Sequence, residues 1–218
     1  MPKAIFWDMD GTLIDSEPLW GIATYELSER LGRRITPEIR EETIGGSFAH
    51  TLGLCAQWAG VSLNDDEAAA HKSWMYERMG QLLSEELEPN PGVPGLLSSL
   101  HSSGMRMLVT TNTERYLANY CIDAVGREYF EDTITGDEVA HGKPDPEMYL
   151  EAAARVGESP ADCLVFEDSW AGMSAAAAAG CKVLGLAEKV PAGVVPFDSS
   201  RFIGATAEDV ATWFKAMG

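Results

Sequence analysis

Four short apolar runs set the limits on what this chain can fold into: KAIFWD near residue 5, MRMLVTTN near 108, CLVFED near 165 and KVLGL near 184. Each is strand-length and rich in β-branched or aromatic residues, the signature of a strand buried on both faces. Between the later runs lie helical patterns, TERYLANYCIDAVG, PEMYLEAAARVG and SWAGMSAAAAAG, the last two closing on Gly157 and Gly180, where helix ends favour glycine. Alternation of strand and helix predicts an α/β protein with a doubly wound parallel sheet. TITGDE near 134 adds a further short strand, and TAEDVATWFKAMG a closing helix that starts near Thr206 or Ala207.

Residues 16–86 break the alternation. They carry helical patterns (PLWGIATYELSERLG, SFAHTLGLCAQWAG, DDEAAAHKSWMYERMGQLL) with no strand between them, and the chain returns through the Pro/Gly-rich EPNPGVPG. The expected organisation is a core built from residues 1–15 and 87–218 with a small helical domain, 16–86, inserted after the first strand like a lid. Its tryptophans, Trp20, Trp58 and Trp74, are expected mostly in that domain's core, with Trp20 the one placed to face a substrate.

Charge excludes some functions. A net charge of −18 repels a phosphate backbone, so nucleic acid is not an expected partner, and no apolar stretch reaches membrane-spanning length. The four cysteines, Cys55, Cys121, Cys163 and Cys181, are widely spaced and no secretory leader opens the chain, which reads as a cytoplasmic protein with buried, reduced thiols.

Ligands of open parallel sheets bind beyond the carboxyl ends of the strands. The residues there are Asp8 and Asp10, then Thr111 and Asn112, then Glu167 and Asp168, with Lys143 of GKPDP reaching the same rim. An Asp-x-Asp pair alone is no signal in a chain with 34 acidic residues, but DMDGT after an apolar strand is expected by chance in only about one of several hundred chains. Four acids cannot crowd together ionised without a cation, and an oxygen-only set suits Mg²⁺.

DMDGT, VTTN, GKPDP and VFEDS, in this order and at these spacings, resemble the four motifs of the haloacid dehalogenase-like hydrolase superfamily, and the helical insertion resembles the cap of its phosphoglycolate phosphatase, β-phosphoglucomutase and sugar-phosphatase branch. The stretch GTLIDSEPLW is similar to hexose-phosphate and hexitol-phosphate phosphatases. The resemblance implies a Rossmann-like core and a phosphatase acting on a small phosphorylated metabolite, a sugar or polyol phosphate; the expected state, a monomer or weak homodimer, is a separate expectation. The resemblance also implies that Asp8 attacks phosphorus and becomes an aspartyl phosphate, and that Asp10 serves as acid and then base. Thr111 and Asn112 with neighbouring amides, and Lys143, would hold the phosphoryl group. Mg²⁺ would be bound by Asp8, the Asp10 carbonyl, Asp168 and, directly or through water, Glu167.

Taken singly, each residue has a plainer reading: Glu167 and Asp168 as a helix N-terminal acidic pair, Lys143 as a solvated loop lysine, Thr111 as a strand-end hydroxyl bonded to backbone. Their joint order favours the catalytic one. The alternative is a phosphomutase of the β-phosphoglucomutase kind. Those mutases carry a cap histidine and a cap arginine where ungapped matching here places Trp20 and Phe48, and the loop IGGSFAHTL offers no arginine or lysine. A phospho-accepting receiver module would lack the acid at Asp10 and the insertion, and dehalogenase chemistry would lack Asp10. The histidines His50, His71, His101 and His141 show no ligand spacing.

Overall fold

The computed structural model describes residues 1–44 and 47–218. In chain order the elements are β1 (Ala4–Trp7), α1 (Glu17–Arg30), α2 (Pro37–Thr43), α3 (Phe48–Ala59), α4 (Asp65–Glu86), α5 (Val93–Ser102), β2 (Arg106–Thr110), α6 (Arg115–Val125), β3 (Asp132–Ile134), α7 (Glu147–Val156), β4 (Cys163–Glu167), α8 (Trp170–Ala178), β5 (Lys182–Gly185), β6 (Val194–Pro196) and α9 (Ala207–Ala216). Residues divide into two compact units, Met1–Asp15 with Glu88–Gly218, and Ser16–Leu87.

The first unit holds a six-stranded sheet in the order β3-β2-β1-β4-β5-β6, every pairing parallel. Strand β1 is central, and all four of its residues are wholly buried, as a strand covered by helices on both sides requires. Alternate residues supply the two faces. Ala4, Phe6, Leu108, Val165 and Val183 pack with Met148, Tyr149 and Ala152 of α7 and with Met173, Ala175 and Ala176 of α8. On the other face Trp7 stacks on Phe166 at 4.4 Å, and Phe197, Phe202 and Trp213 close around them. All four cysteines are buried and free, and burial pushes the Cys163 thiol up to about 11 and Cys181 to about 12.

The second unit is α1 to α4, closed by an Asn64–Glu67 capping box at the start of α4. Two elements were not foreseen. Helix α2 is only seven residues long, and its signal was local: Thr36 caps it by accepting from Ile39 N–H, and Pro37 opens it. Strand β6 is three residues at the sheet edge, too short for a periodic pattern. The tryptophans also differ from expectation. Trp58 and Trp74 are only half-buried, each lying under a guanidinium (Arg33 at 3.8 Å, Arg30 at 4.6 Å), because an indole flanked by arginines can satisfy its face by cation–π contact at the surface. Trp20 is half-buried as well. Of the loop IGGSFAHTL, which has no arginine or lysine, Gly45 and Gly46 lie outside the described residues.

Candidate active site

Parallel register decides which side chains meet. Trp7 is aligned with Val109 on one side and Phe166 on the other, so the next residues, Asp8, Thr110 and Glu167, emerge side by side at the carboxyl edge. Asp8 N–H still donates to Phe166 O at 3.0 Å, which fixes its backbone before the chain turns away. In that turn Leu13 N–H returns to Met9 O at 2.9 Å, and Gly11 stands at φ +86°, a left-handed conformation that L side chains rarely adopt. Space forbids a side chain there too, since a Cβ on Gly11 would lie 1.9 Å from Asp168 Oδ2. The glycine of DMDGT therefore lets the first loop close onto the acid that follows β4.

Lys143 arrives from the loop between β3 and α7. Its Nζ donates to Asp8 Oδ1 at 2.6 Å, to Thr110 O at 3.0 Å and to Glu167 Oε1. Lys143 is 8% exposed, Asp8 6% and Glu167 0%, so these charges act on one another with little solvent screening. Burial would depress the Lys143 ammonium, but Asp8, Tyr149 and Glu167 outweigh it and hold the amine well above the ordinary lysine range. The lysine is a fixed cation.

Asp8, Glu167 and Asp168 each place a carboxylate oxygen within 4.8 Å of the others'. Burial, then the Glu167 charge, pushes the Asp8 carboxyl well above the ordinary aspartate range; Lys143 opposes this and Asp168 adds to it. Burial and Glu167 raise Asp168 to about 6. Three carboxylates thus face one ammonium. Asp8 Oδ2 is buried and meets no hydrogen-bond donor among the described residues. Oxygen donors gathered within 4.8 Å, two of them on carboxyls raised first by burial and then by a neighbouring acid, fit a hard divalent cation.

Glu167 is differently placed. Oε1 accepts from Lys143 and from the Tyr149 hydroxyl at 2.9 Å, and Oε2 accepts from Ser169 N–H at 3.1 Å and Ser169 Oγ at 3.0 Å. Gly172 makes room for it, because a Cβ there would fall 1.7 Å from Oε1. Asp10 is half-buried, and Thr113 Oγ1 donates to its Oδ2 at 2.8 Å. Thr111, 2% exposed, accepts Thr113 N–H on its hydroxyl at 3.1 Å, which leaves the hydroxyl proton for another acceptor. The Asn112 side chain is committed to the Lys143 main chain.

Thr113, Tyr149 and Ser169 were missed from the sequence. Ser169 carried a helix-start signal and does cap α8 by accepting from Gly172 N–H at 3.0 Å, so its second bond to Glu167 was hidden behind a structural one. Thr113 adjoined VTTN and could have been included. Tyr149 looked like any aromatic on the apolar face of a helix.

The model of the haloacid dehalogenase-like hydrolase family matches residues 2–180. Among curated proteins the chain is 32% identical to a phosphorylated carbohydrates phosphatase of Thermotoga maritima, covering 82% of both chains. It is also 32% identical to hexitol phosphatase A of Escherichia coli, over 84% of this chain and 82% of that one. Among solved structures, CbbY from Rhodobacter sphaeroides in complex with phosphate superimposes with a TM-score of 0.67 at 28% identity, over 85% of this chain and 86% of the other.

Proposed function

This chain belongs to the haloacid dehalogenase-like hydrolases and is a phosphoric monoester hydrolase, and we propose that it is a Mg²⁺-dependent phosphatase of a sugar or polyol phosphate working through phosphorylated Asp8. The observation that carries the mechanism is the division of labour on one carboxylate: Oδ1 is pinned by Lys143 while Oδ2 is buried and unbonded. A pinned carboxylate cannot rotate away, so its other oxygen is presented as a nucleophile. In the first step the Asp8 Oδ2–phosphorus bond forms, the ester P–O bond breaks, and the leaving oxygen takes a proton from Asp10. In the second, Asp10 takes a proton from water, the water oxygen bonds to phosphorus, and Asp8 leaves. Thr113 holds Asp10 between these roles, and Lys143 and Thr111 face the charge that develops on the phosphoryl oxygens. Mg²⁺ held by Asp8, Asp168, the Asp10 carbonyl and Glu167, directly or through water, would supply further neutralisation of that charge. The relatives named as a phosphorylated carbohydrates phosphatase and a hexitol phosphatase support a polyhydroxy leaving group. Phosphate release measured over a panel of sugar and polyol phosphates with Mg²⁺ tests the reading, and release from none of them would overturn it.

Chelation is expected to abolish turnover and Mg²⁺ to restore it, whereas Ca²⁺, with its larger and looser coordination, should inhibit. Full activity in excess chelator would remove the metal from the mechanism. Mg²⁺ should also raise the melting temperature more at pH 8 than at pH 5. Ligand carboxylates must be ionised to bind, and Asp168, raised to about 6, is largely protonated at the lower pH.

Water rather than a second sugar phosphate is the proposed acceptor. A mutase must seat the non-reacting phosphate of a bisphosphate, which needs a cation to spare. Each cation of the helical unit is already engaged within it: Arg40 with Glu17, Arg78 with Glu26, Arg34 with Glu29, and Arg30, Arg33 and Lys72 over the rings of Trp74, Trp58 and Tyr76. Incubation with β-glucose 1-phosphate and catalytic bisphosphate should therefore give inorganic phosphate or nothing. Sustained formation of glucose 6-phosphate without phosphate release would establish the mutase instead.

A further inference from the structure

We propose that Asn112 is a positioning residue that acts on the reaction through Lys143, and that its side chain contributes no direct contact to the phosphoryl group. The proposal rests on the phosphatase reading and sharpens it. Asn112 Oδ1 accepts from Lys143 N–H at 2.9 Å, and Asn112 Nδ2 donates to Lys143 O at 3.1 Å. A primary amide presents an acceptor oxygen and a donor nitrogen, and here the oxygen and one of the two N–H groups engage both polar groups of a single residue's main chain. The clamp joins the end of β2 to a loop residue 31 positions further on.

The surroundings are shaped to admit that clamp. A Cβ on Gly142 would fall 2.7 Å from Asn112 Oδ1, and one on Gly136 would fall 2.2 Å from Asn112 O. Two glycines thus let two separate stretches of loop close onto the asparagine. Neither glycine has a positive φ, so space rather than backbone conformation is what a side chain would violate there.

The consequence falls on the Lys143 ammonium. A lysine reaches its target through four methylenes, and burial of its side chain fixes those, but the root of the chain lies in a loop. Asn112 fixes the root. With root and tip both held, the ammonium stands 2.6 Å from Asp8 Oδ1 before substrate arrives, and reacting geometry is sensitive to displacements of an ångström. Glutamine or lysine at residue 112 would not reproduce the clamp, the first being a methylene too long and the second lacking an acceptor.

The experiment compares wild type, Asn112→Ala, Lys143→Ala and the double variant, by steady-state phosphate release and by the affinity of orthovanadate, which seats against Asp8 and Lys143 without turnover. Asn112→Ala is expected to lower kcat by about thirtyfold with KM little changed, and to weaken vanadate comparably. In the Lys143→Ala background the same substitution should leave vanadate affinity unchanged, since there is no ammonium left to position. Losses that multiply in the double variant would show a direct contact and overturn the proposal, as would an Asn112→Ala protein with wild-type kcat. If Asn112→Ala does not fold, Gly142→Ala carries the test, because one methyl 2.7 Å from Oδ1 strains the same clamp and should give the same fall in kcat. Wild-type kcat in Gly142→Ala would then refute it. Absence of phosphate release from the wild type would instead strike at the phosphatase reading itself.

Discussion

Asp8→Asn should abolish phosphate release, by more than about a thousandfold, while the protein melts no lower than wild type. The two halves of this expectation have one origin. An amide oxygen in the place of Oδ1 still accepts from Lys143, so the bond that orients the side chain survives. An amide nitrogen in the place of Oδ2 has no charge to give to phosphorus, and that oxygen is the one left without a partner in the buried site. Stability moves the other way, because ionised Asp8 is opposed by burial, by Glu167 and by Asp168, and only Lys143 favours it. Removing one of three clustered carboxylates relieves repulsion without opening a cavity. Circular dichroism and thermal melting, set beside phosphate release from the purified variant, decide the matter. A folded Asp8→Asn protein that turned over normally would end the case for Asp8 as nucleophile.

Much of this was written in local sequence, and the reason is the parallel sheet. A central strand buried on both faces reads as an apolar run, so β1, β2 and β4 announce themselves, and the residue at which each run gives out is delivered to one edge by register alone. Asp8 and Glu167 follow from that rule with no knowledge of packing. The string DMDGT marked the first turn, but the need for its glycine, set by the φ of Gly11 and the approach of Asp168, came only from the structure. What stayed hidden depends on distances across the fold. That Tyr149 donates to Glu167, or that Asn112 grips the main chain of Lys143, is decided by how α7 and its preceding loop lie on the sheet, and no periodicity encodes it. The pattern PEMYLEAAARVG gave the helix and said nothing of the Tyr149 hydroxyl. Likewise the arginines beside Trp58 and Trp74 offered a surface solution that counting apolar residues does not register.

Lys143→Ala should be as inactive as Asp8→Asn and, unlike it, strongly destabilised. The substitution withdraws the one ammonium from between Asp8 and Glu167, of which Asp8 is 6% exposed and Glu167 not at all. Breaking a buried ion pair by deleting one partner costs about 3–5 kcal/mol, since the survivor is left charged and unsolvated. For a chain of this size that corresponds to a fall in melting temperature of about 10 °C. The deficit must depend on pH, and its sign is fixed. The Asp8 carboxyl already binds its proton more tightly folded than unfolded, and loss of Lys143 removes what held it down. A folded state that binds the extra proton gains stability as pH falls and loses it as pH rises from the unfolded value of about 3.9 through the raised folded one. Lys143→Ala should accordingly recover part of its lost stability on going from pH 8 to pH 5. The double variant Asp8→Asn/Lys143→Ala should recover part of it at pH 8, because it removes one of the two stranded carboxylates. Such non-additivity is the mark of charges in direct contact. A Lys143→Ala protein that melts like wild type at pH 8, or strictly additive losses in the double variant, would show that the lysine is not the counter-charge its position between the two acids implies.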